Sequence, residues 1–255
     1  MTADVRLELA GPVATVTLGD ATGGNAQTPS TWAALAAIGR ELTGAVRVVV
    51  LRAEGPAFSV GLDRRLLTPQ GVSGQPPSAA LAGRSDQPLD DVLAEFQAAF
   101  TWWGRPDLLS IAAVHGHAIG AGFQLALTCD LRILADDAQL AMREMGLGLV
   151  PDLGGTGALV AAVGYARALE LCVTGRTVGA AEARDLGLAT LVVPRAELAA
   201  AVDDLVAAVL AAPRDAVVEI KALLRDAGRR TREAQWAAER EAQARRLRDL
   251  TGEGE

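Results

Sequence analysis

Residues able to do chemistry concentrate between Ser110 and Thr156. A short apolar strand runs into His115-Gly-His-Ala-Ile-Gly-Ala-Gly-Phe-Gln124, Glu144 stands twenty residues further on behind Arg143, and Pro151-Asp-Leu-Gly-Gly-Thr156 follows. Glycines clustered between a strand and a helix let a ligand approach the backbone closely. The amides left free at a helix start can then hold developing negative charge. With a carboxylate within sequence reach and neither phosphate-binding nor metal-ligand spacing beside it, the pattern points to chemistry at an oxyanion.

The elements that must position these residues read as a mixed α/β chain. Val5, Leu7 and Leu9 alternate with charged residues, and Val13 to Leu18 supplies a second run after Gly11-Pro12, so an opening hairpin is expected. An alanine-rich helix starts at Pro29, with Thr28 or Ser30 as its cap, and ends near Gly44. A buried strand is expected over Val46 to Leu51, and a turn of small residues from Glu54 to Asp63. From Thr68 to Pro88 the composition shifts to Pro, Gly, Ser and Gln, which predicts a mobile surface loop. Leu89, Val92, Leu93, Phe96, Phe100 and Trp103 then recur at helical spacing, favouring a core-facing stripe over a substrate-binding one.

Strand and helix continue to alternate through Leu109 to Val114, Gly122 to Cys129 and Leu131 to Leu134, as crossover units require. Leu198 to Leu210 reads as an amphipathic helix, and Arg214 to Leu250 as helix whose alternating charges form either a solvated face or an oligomer seam.

Composition narrows the function classes. The 255 residues suffice to bury a sizeable core, and half are apolar. A net charge of -7 argues against nucleic acid as a partner, since phosphate contacts need a basic face. Cys129 and Cys172 are isolated thiols without metal-ligand spacing, so no metal is expected and a reducing compartment is. No segment reaches the ~18 uncharged residues of a membrane span, and the first residues are neither basic nor apolar. A soluble, cytoplasmic protein with no membrane partner is the expectation.

The two turns together carry a family resemblance. Gly55-Pro-Ala-Phe-Ser-Val-Gly-Leu-Asp63 and the stretch from Ile111 to Asp130, followed by Glu144 and Pro151 to Thr156, resemble the crotonase superfamily, the enoyl-CoA hydratase/isomerase group, over roughly residues 5 to 195. The resemblance implies an α/β fold, a crotonase-like spiral of ββα turns with a C-terminal helical trimerisation region. On that division 1–195 is the spiral core and 196–255 the helical oligomerisation region. It further implies an acyl-CoA thioester as ligand, no separate cofactor because coenzyme A is part of the substrate, and a homotrimer or a hexamer built as a dimer of trimers.

Thioester chemistry pushes negative charge onto a carbonyl oxygen as an enolate. By position, the family's two oxyanion-hole donors fall on the backbone amides of Val60 and Ala121, and one such donor contributes on the order of 3 kcal/mol to the rate. The resemblance places Ser59, Gly61, Leu62, Asp63, Arg64, Gly120 and Gly122 against substrate or CoA, the basic Arg64-Arg65 pair being an equally good solvated pair. Lys221 is a weaker CoA candidate, because the carboxy-terminal helix of relatives reaches toward the adenine. The usual carboxy-terminal pattern is replaced by Gln243-Ala-Arg-Arg-Leu-Arg-Asp-Leu250.

Proton transfer is where the chain departs from the family. Hydratases of the group carry two glutamates twenty residues apart, and here those positions hold Gln124 and Glu144. An amide has no proton to exchange near neutral pH. Glu144 alone can still shuttle a proton between the α and γ carbons, which favours an isomerase-like double-bond shift. Met142, Met145, Leu147 and Leu149 are expected to raise its pKa. An enoyl-CoA hydratase with a weakened second position and a non-catalytic acyl-CoA-binding protein are the alternatives. Asp152, where some members carry a catalytic aspartate, is a second acid, a nucleophile or a helix N-cap. His115 and His117 are expected to satisfy local hydrogen bonds, and Asp130 to be structural.

Overall fold

A computed structural model describes residues 5–20, 22–74 and 88–251. Most of the Thr68–Pro88 segment expected to be a loop lies outside the described residues.

The chain opens with the expected hairpin, β1 (Val5–Ala10) antiparallel to β2 (Val13–Leu18). Thr28 caps α1 (Pro29–Glu41): its hydroxyl accepts from the Thr31 amide while the Thr31 side chain accepts from the Thr28 amide, and Pro29 opens the first turn. β3 (Val48–Ala53), two residues later than the hydropathy run predicts, joins β2 in parallel. After α2 (Leu89–Thr101) come β4 (Leu109–Val114), β5 (His117–Ile119) and α3 (Ala121–Thr128), then β6 (Leu131–Ala135), β7 (Gln139–Ala141), α4 (Gly155–Val163) and α5 (Tyr165–Thr174). β8 (Val178–Gly179), α6 (Ala180–Asp185) and β9 (Leu191–Val193) complete the strands.

The six-stranded sheet has the order β1-β2-β3-β4-β6-β9, parallel after the first pair, while β5, β7 and β8 form a small second sheet. β4 and β6 are each followed by a short strand of the second sheet and then by a helix, and an isolated bridge from Ser59 to Ala118 ties the segment after β3 to β5, which winds the chain as a spiral of ββα turns.

Burial on both faces explains why β3 reads as an unbroken apolar run. Val49 and Leu51 face the main core with Leu35, Phe58, Phe100 and Trp103. Val48 and Val50 face the opposite side with Ile111 and Ile133. That second face is covered by α7 (Leu198–Ala211), through Leu198 and Val202. The remaining helical stretch is two helices, α8 (Arg214–Asp226) and α9 (Arg232–Thr251), separated by a short 3-10 turn at Ala227–Arg229.

One half-buried contact moors α8 to the sheet. Lys221 Nζ donates to Asp130 Oδ2 at 2.7 Å and to the carbonyls of Arg105 and Leu108 at 2.6 and 2.7 Å. Asp130 Oδ2 also accepts from the Ser110 amide at 2.8 Å. Lys221 therefore spends its three donors inside the protein, which corrects its assignment as a CoA contact. Asp130 is structural, as expected.

Candidate active site

The two glycine turns are stitched together by strand-like bonds. The Ser59 amide donates to the His117 carbonyl at 2.8 Å, and the Ile119 amide donates to the Ser59 carbonyl at 2.9 Å. Gly61 sits at φ +83°, and a Cβ built there would lie 2.4 Å from the Ile119 carbonyl oxygen and 3.4 Å from the Ala121 nitrogen. Only glycine lets the first turn press this closely on the start of α3.

Val60, Gly61 and Ala121 line one cavity of about 1100 Å³, together with Gln124, Glu144 and Asp152. Leu62, Asp63, Arg64 and Gly120 also line it. Two predicted contacts lie behind the wall instead. Ser59 is fully buried with its hydroxyl committed to other residues, and Gly122 packs where an added Cβ would come 2.5 Å from the Ser59 carbonyl. Both shape the turns rather than touch a ligand.

The two amides are not equivalent. Ala121 opens α3, so its N–H has no intrahelical acceptor, and among the described residues it meets no other. The Val60 N–H donates to the Gly24 carbonyl at 3.0 Å. Gly24 precedes Asn25, whose positive φ of 56° and side-chain bonds to the Glu54 and Ala57 carbonyls fasten the segment to the first turn.

Glu144 begins a 3-10 turn (Glu144–Leu147) and is buried beside Gly120. A Cβ on Gly120, at φ +52°, would come within 3.3 Å of Glu144 Oε1. Gln124 Nε2 donates to that same oxygen at 2.7 Å, while Gln124 Oε1 accepts from the Leu153 amide at 2.9 Å. The amide's orientation is thereby fixed at both ends. Among the described residues Glu144 Oε2 is buried without a hydrogen-bond partner, which leaves this oxygen open to a proton.

Burial pushes the Glu144 carboxyl above its usual range, the Gln124 hydrogen bond opposes this, and the charge of Asp152 adds to it. Met142 is buried nearby, and Leu147 and Leu149 line the cavity although both are substantially exposed; Met145 is exposed and does not line it.

Asp152 also has its pKa raised by burial. It is not the cap of α4: that position is Gly154, at φ +88°, with no side-chain cap bond. Arg65 Nη2 donates to Asp63 at 2.6 Å, and Asp63 in turn caps the following turn; Arg64 lines the cavity and, among the described residues, has no ion-pair partner. His115 Nε2 lies 3.0 Å from the Gly55 carbonyl as expected, whereas His117 is exposed on the cavity wall.

The stripe on α2 is shared between core and cavity: Val92 and Phe100 are buried, while Leu89, Leu93 and Phe96 line the cavity. Phe96 packs against Trp32 with ring centroids 4.8 Å apart. Trp32 Nε1 donates to Gln27 Oε1 at 2.8 Å. Sequence reading missed Gly24 and Gln27, because a backbone carbonyl has no sequence signature and a lone Gln beside a helix cap announces nothing. Among the described residues, no group of three or more His, Cys, Asp or Glu side chains could hold a metal ion.

The enoyl-CoA hydratase/isomerase family model matches residues 8–249. The chain belongs to the enoyl-CoA hydratase/isomerase family. Among solved structures, a Thermobifida fusca YX protein carrying an enoyl-CoA hydratase name, in complex with CoA, is 51% identical with a TM-score of 0.92, over 98% of this chain and 95% of that one. The same protein's acetoacetyl-CoA complex is 51% identical with a TM-score of 0.91, over 97% of this chain and 96% of that one. These likenesses make the fold that of the crotonases.

Among curated relatives, the Delta(3,5)-Delta(2,4)-dienoyl-CoA isomerase, peroxisomal, of Arabidopsis thaliana is 38% identical over 147 residues, 58% of this chain and 52% of that protein. A Bacillus subtilis (strain 168) protein named for enoyl-CoA hydratase is 36% identical over 151 residues, 59% of this chain and 54% of that protein. The matched stretch thus spans about half the length of these two family members.

Proposed function

We propose that this family member is an enzyme acting on acyl-CoA thioesters, with an isomerase-like double-bond shift as its reaction. The observation that carries the reading is the Gln124–Glu144 hydrogen bond, which pairs a single carboxylate with an amide that cannot exchange a proton. The CoA and acetoacetyl-CoA complexes of the Thermobifida fusca protein support the substrate class. Arg64 is the cation at the cavity wall best placed for the anionic part of CoA.

In the proposed reaction the Ala121 amide polarises the thioester carbonyl, joined by Val60 once its bond to Gly24 yields. Glu144 Oε2 removes the α proton of a 3-enoyl thioester, and the electron pair spreads into the carbonyl as a dienolate. Return of the same proton to the γ carbon leaves the double bond conjugated to the thioester. Asp152, raised toward neutrality by burial, is the second carboxyl able to hold a proton in the cavity.

Conversion of a 3-enoyl-CoA to the conjugated 2-enoyl-CoA, followed by ultraviolet absorbance, tests the reading. It stands if the wild type converts the ester and Glu144→Gln does not. Hydration is the second reading, favoured by the hydratase names of the relatives, and faster water addition than isomerisation would select it. Micromolar binding of CoA esters with no conversion would select a binding protein. For assembly we propose a homotrimer or a dimer of trimers, supported by the exposed apolar side chains of Tyr165, Leu169 and Val173 on α5 and tested by light scattering. Among the described residues no helix is long and apolar enough to cross a membrane, which supports the proposal of a cytoplasmic protein.

A further inference from the structure

Four polar side-chain and backbone groups form a directed chain from the apolar wall of the cavity to the first oxyanion turn. Trp32 Nε1 can only donate, and it donates to Gln27 Oε1 at 2.8 Å. That fixes Gln27 Nε2 as the donor to Ser59 Oγ at 3.0 Å. Ser59 Oγ donates onward to the Asn25 carbonyl at 2.7 Å and accepts from the Gly61 amide at 3.1 Å. Gln27 and Ser59 are fully buried and Trp32 nearly so, so no water competes for these bonds.

The backbone repeats the linkage: the Gln27 amide donates to the Gly61 carbonyl at 2.7 Å, and the Asp63 amide donates to the Gln27 carbonyl at 2.8 Å. Val60 lies between the two residues so held. Its N–H lies in the peptide plane between Ser59 and Val60, and Gln27 holds the chain on both sides of that plane, through the Ser59 hydroxyl and the Gly61 carbonyl.

We infer that Gln27 is a positioning residue, which fixes the turn on either side of Val60, so that the Val60 amide reaches the thioester oxygen once its bond to the Gly24 carbonyl yields, and which couples that turn to the acyl-pocket wall through Trp32. The inference rests on the proposed function of the cavity. Only a carboxamide meets the demand of this position, because it accepts at one end and donates at the other. A carboxylate would take from Ser59 Oγ the donor that Gln27 supplies, and an apolar side chain would do the same and also leave Trp32 Nε1 without its acceptor. A misplacement of one ångström in such a donor costs on the order of a hundredfold in rate.

The test uses the full chain and three variants: Trp32→Phe, which keeps an aromatic wall but removes the indole N–H; Gln27→Leu; and the two combined. Two readouts follow the oxyanion site, kcat on 3-enoyl-CoA and the enolate absorbance of bound acetoacetyl-CoA, while Kd for CoA and Tm follow binding and folding. Each single variant should lower kcat on the order of tenfold or more and weaken the enolate band, with Kd for CoA unchanged. The double variant, which removes the indole N–H and carboxamide together, should regain Tm over the single variants without regaining kcat.

If kcat and the enolate band recover together with Tm, or if the single variants keep both at wild-type level, Gln27 merely fills the core and the inference is overturned. A wild type that polarises acetoacetyl-CoA but turns over no ester sinks the proposed enzyme and leaves the positioning role to the enolate band. A wild type that binds neither ester sinks both.

Discussion

The side-chain amide of Gln124 donates to Glu144 Oε1 at 2.7 Å and makes the two oxygens of that carboxylate unequal. One is held, and the other is buried without a partner. A single positioned base follows from this asymmetry.

Replacing that base should remove turnover but not binding. Glu144→Gln is expected to lower kcat for the double-bond shift by roughly 10² to 10⁴. Kd for CoA by calorimetry should stay near the wild-type value, because no CoA-binding cation is touched. Loss of binding in step with turnover would make Glu144 part of the fold rather than of the chemistry.

Restoring a second carboxyl should open water addition. Gln124→Glu keeps the acceptor that the Leu153 amide uses and sets a carboxyl against Glu144, where two like charges must share a proton. Acid and base then flank one site. Hydration of 2-enoyl-CoA should rise on the order of 10²-fold, with a lower Tm at alkaline pH. An unchanged hydration rate would mean that the missing carboxylate is not what limits it.

The pH profile carries its own sign. Burial first, then the Asp152 charge, hold Glu144 above its ordinary 4.5, and the Gln124 bond pulls the other way. Catalysis by the ionised form therefore gains with pH through a raised value, so the acidic limb of kcat/KM should lie above 4.5. Asp152→Asn should move the limb to lower pH and Gln124→Leu to higher pH. A raised carboxyl contributes stability that is complete below its unfolded pKa and lost as pH rises through its folded one. Asp152→Asn should consequently flatten the decline of Tm as pH rises above the ordinary aspartate value of 3.8.

The Lys221 mooring predicts the opposite division of effects. Lys221→Met leaves Asp130 and two carbonyls without their donor. Stability by chemical denaturation should fall by about 3 kcal/mol. KM for CoA esters, taken below the melting range, should not change. A selective rise in KM would return Lys221 to the ligand.

What the sequence made legible follows the range of the forces involved. The hairpin, the capped start of α1, the buried strands and the helices are fixed by local pattern and could be read within a few residues. The displacement of β3 by two residues arises because Val46 closes a turn, its amide donating to the Thr43 carbonyl, and Arg47, whose amide donates to the Pro12 carbonyl, leads into the strand. Glu144 and Gln124 could be picked out because the chemistry proposed for them resides in side chains, twenty residues apart. Asp152 could not be resolved, since a cap and a cavity acid look alike until Gly154 is seen to hold the cap position. Lys221 misled because a lone cation in a chain of arginines reads as a ligand contact, whereas its buried acceptors lie about ninety residues and more away along the chain.

The carbonyl of Gly24 already occupies the Val60 nitrogen before any substrate arrives. A neutral thioester offers that nitrogen an acceptor no better than the peptide oxygen it would displace, so little is gained by the swap on first contact. An enolate offers a charged acceptor, whose hydrogen bonds are roughly twice as strong. In the proposed reaction the resting latch is a threshold: it withholds the Val60 amide from the incoming ester and releases it to the fleeting anion, lowering the barrier without deepening the well before it.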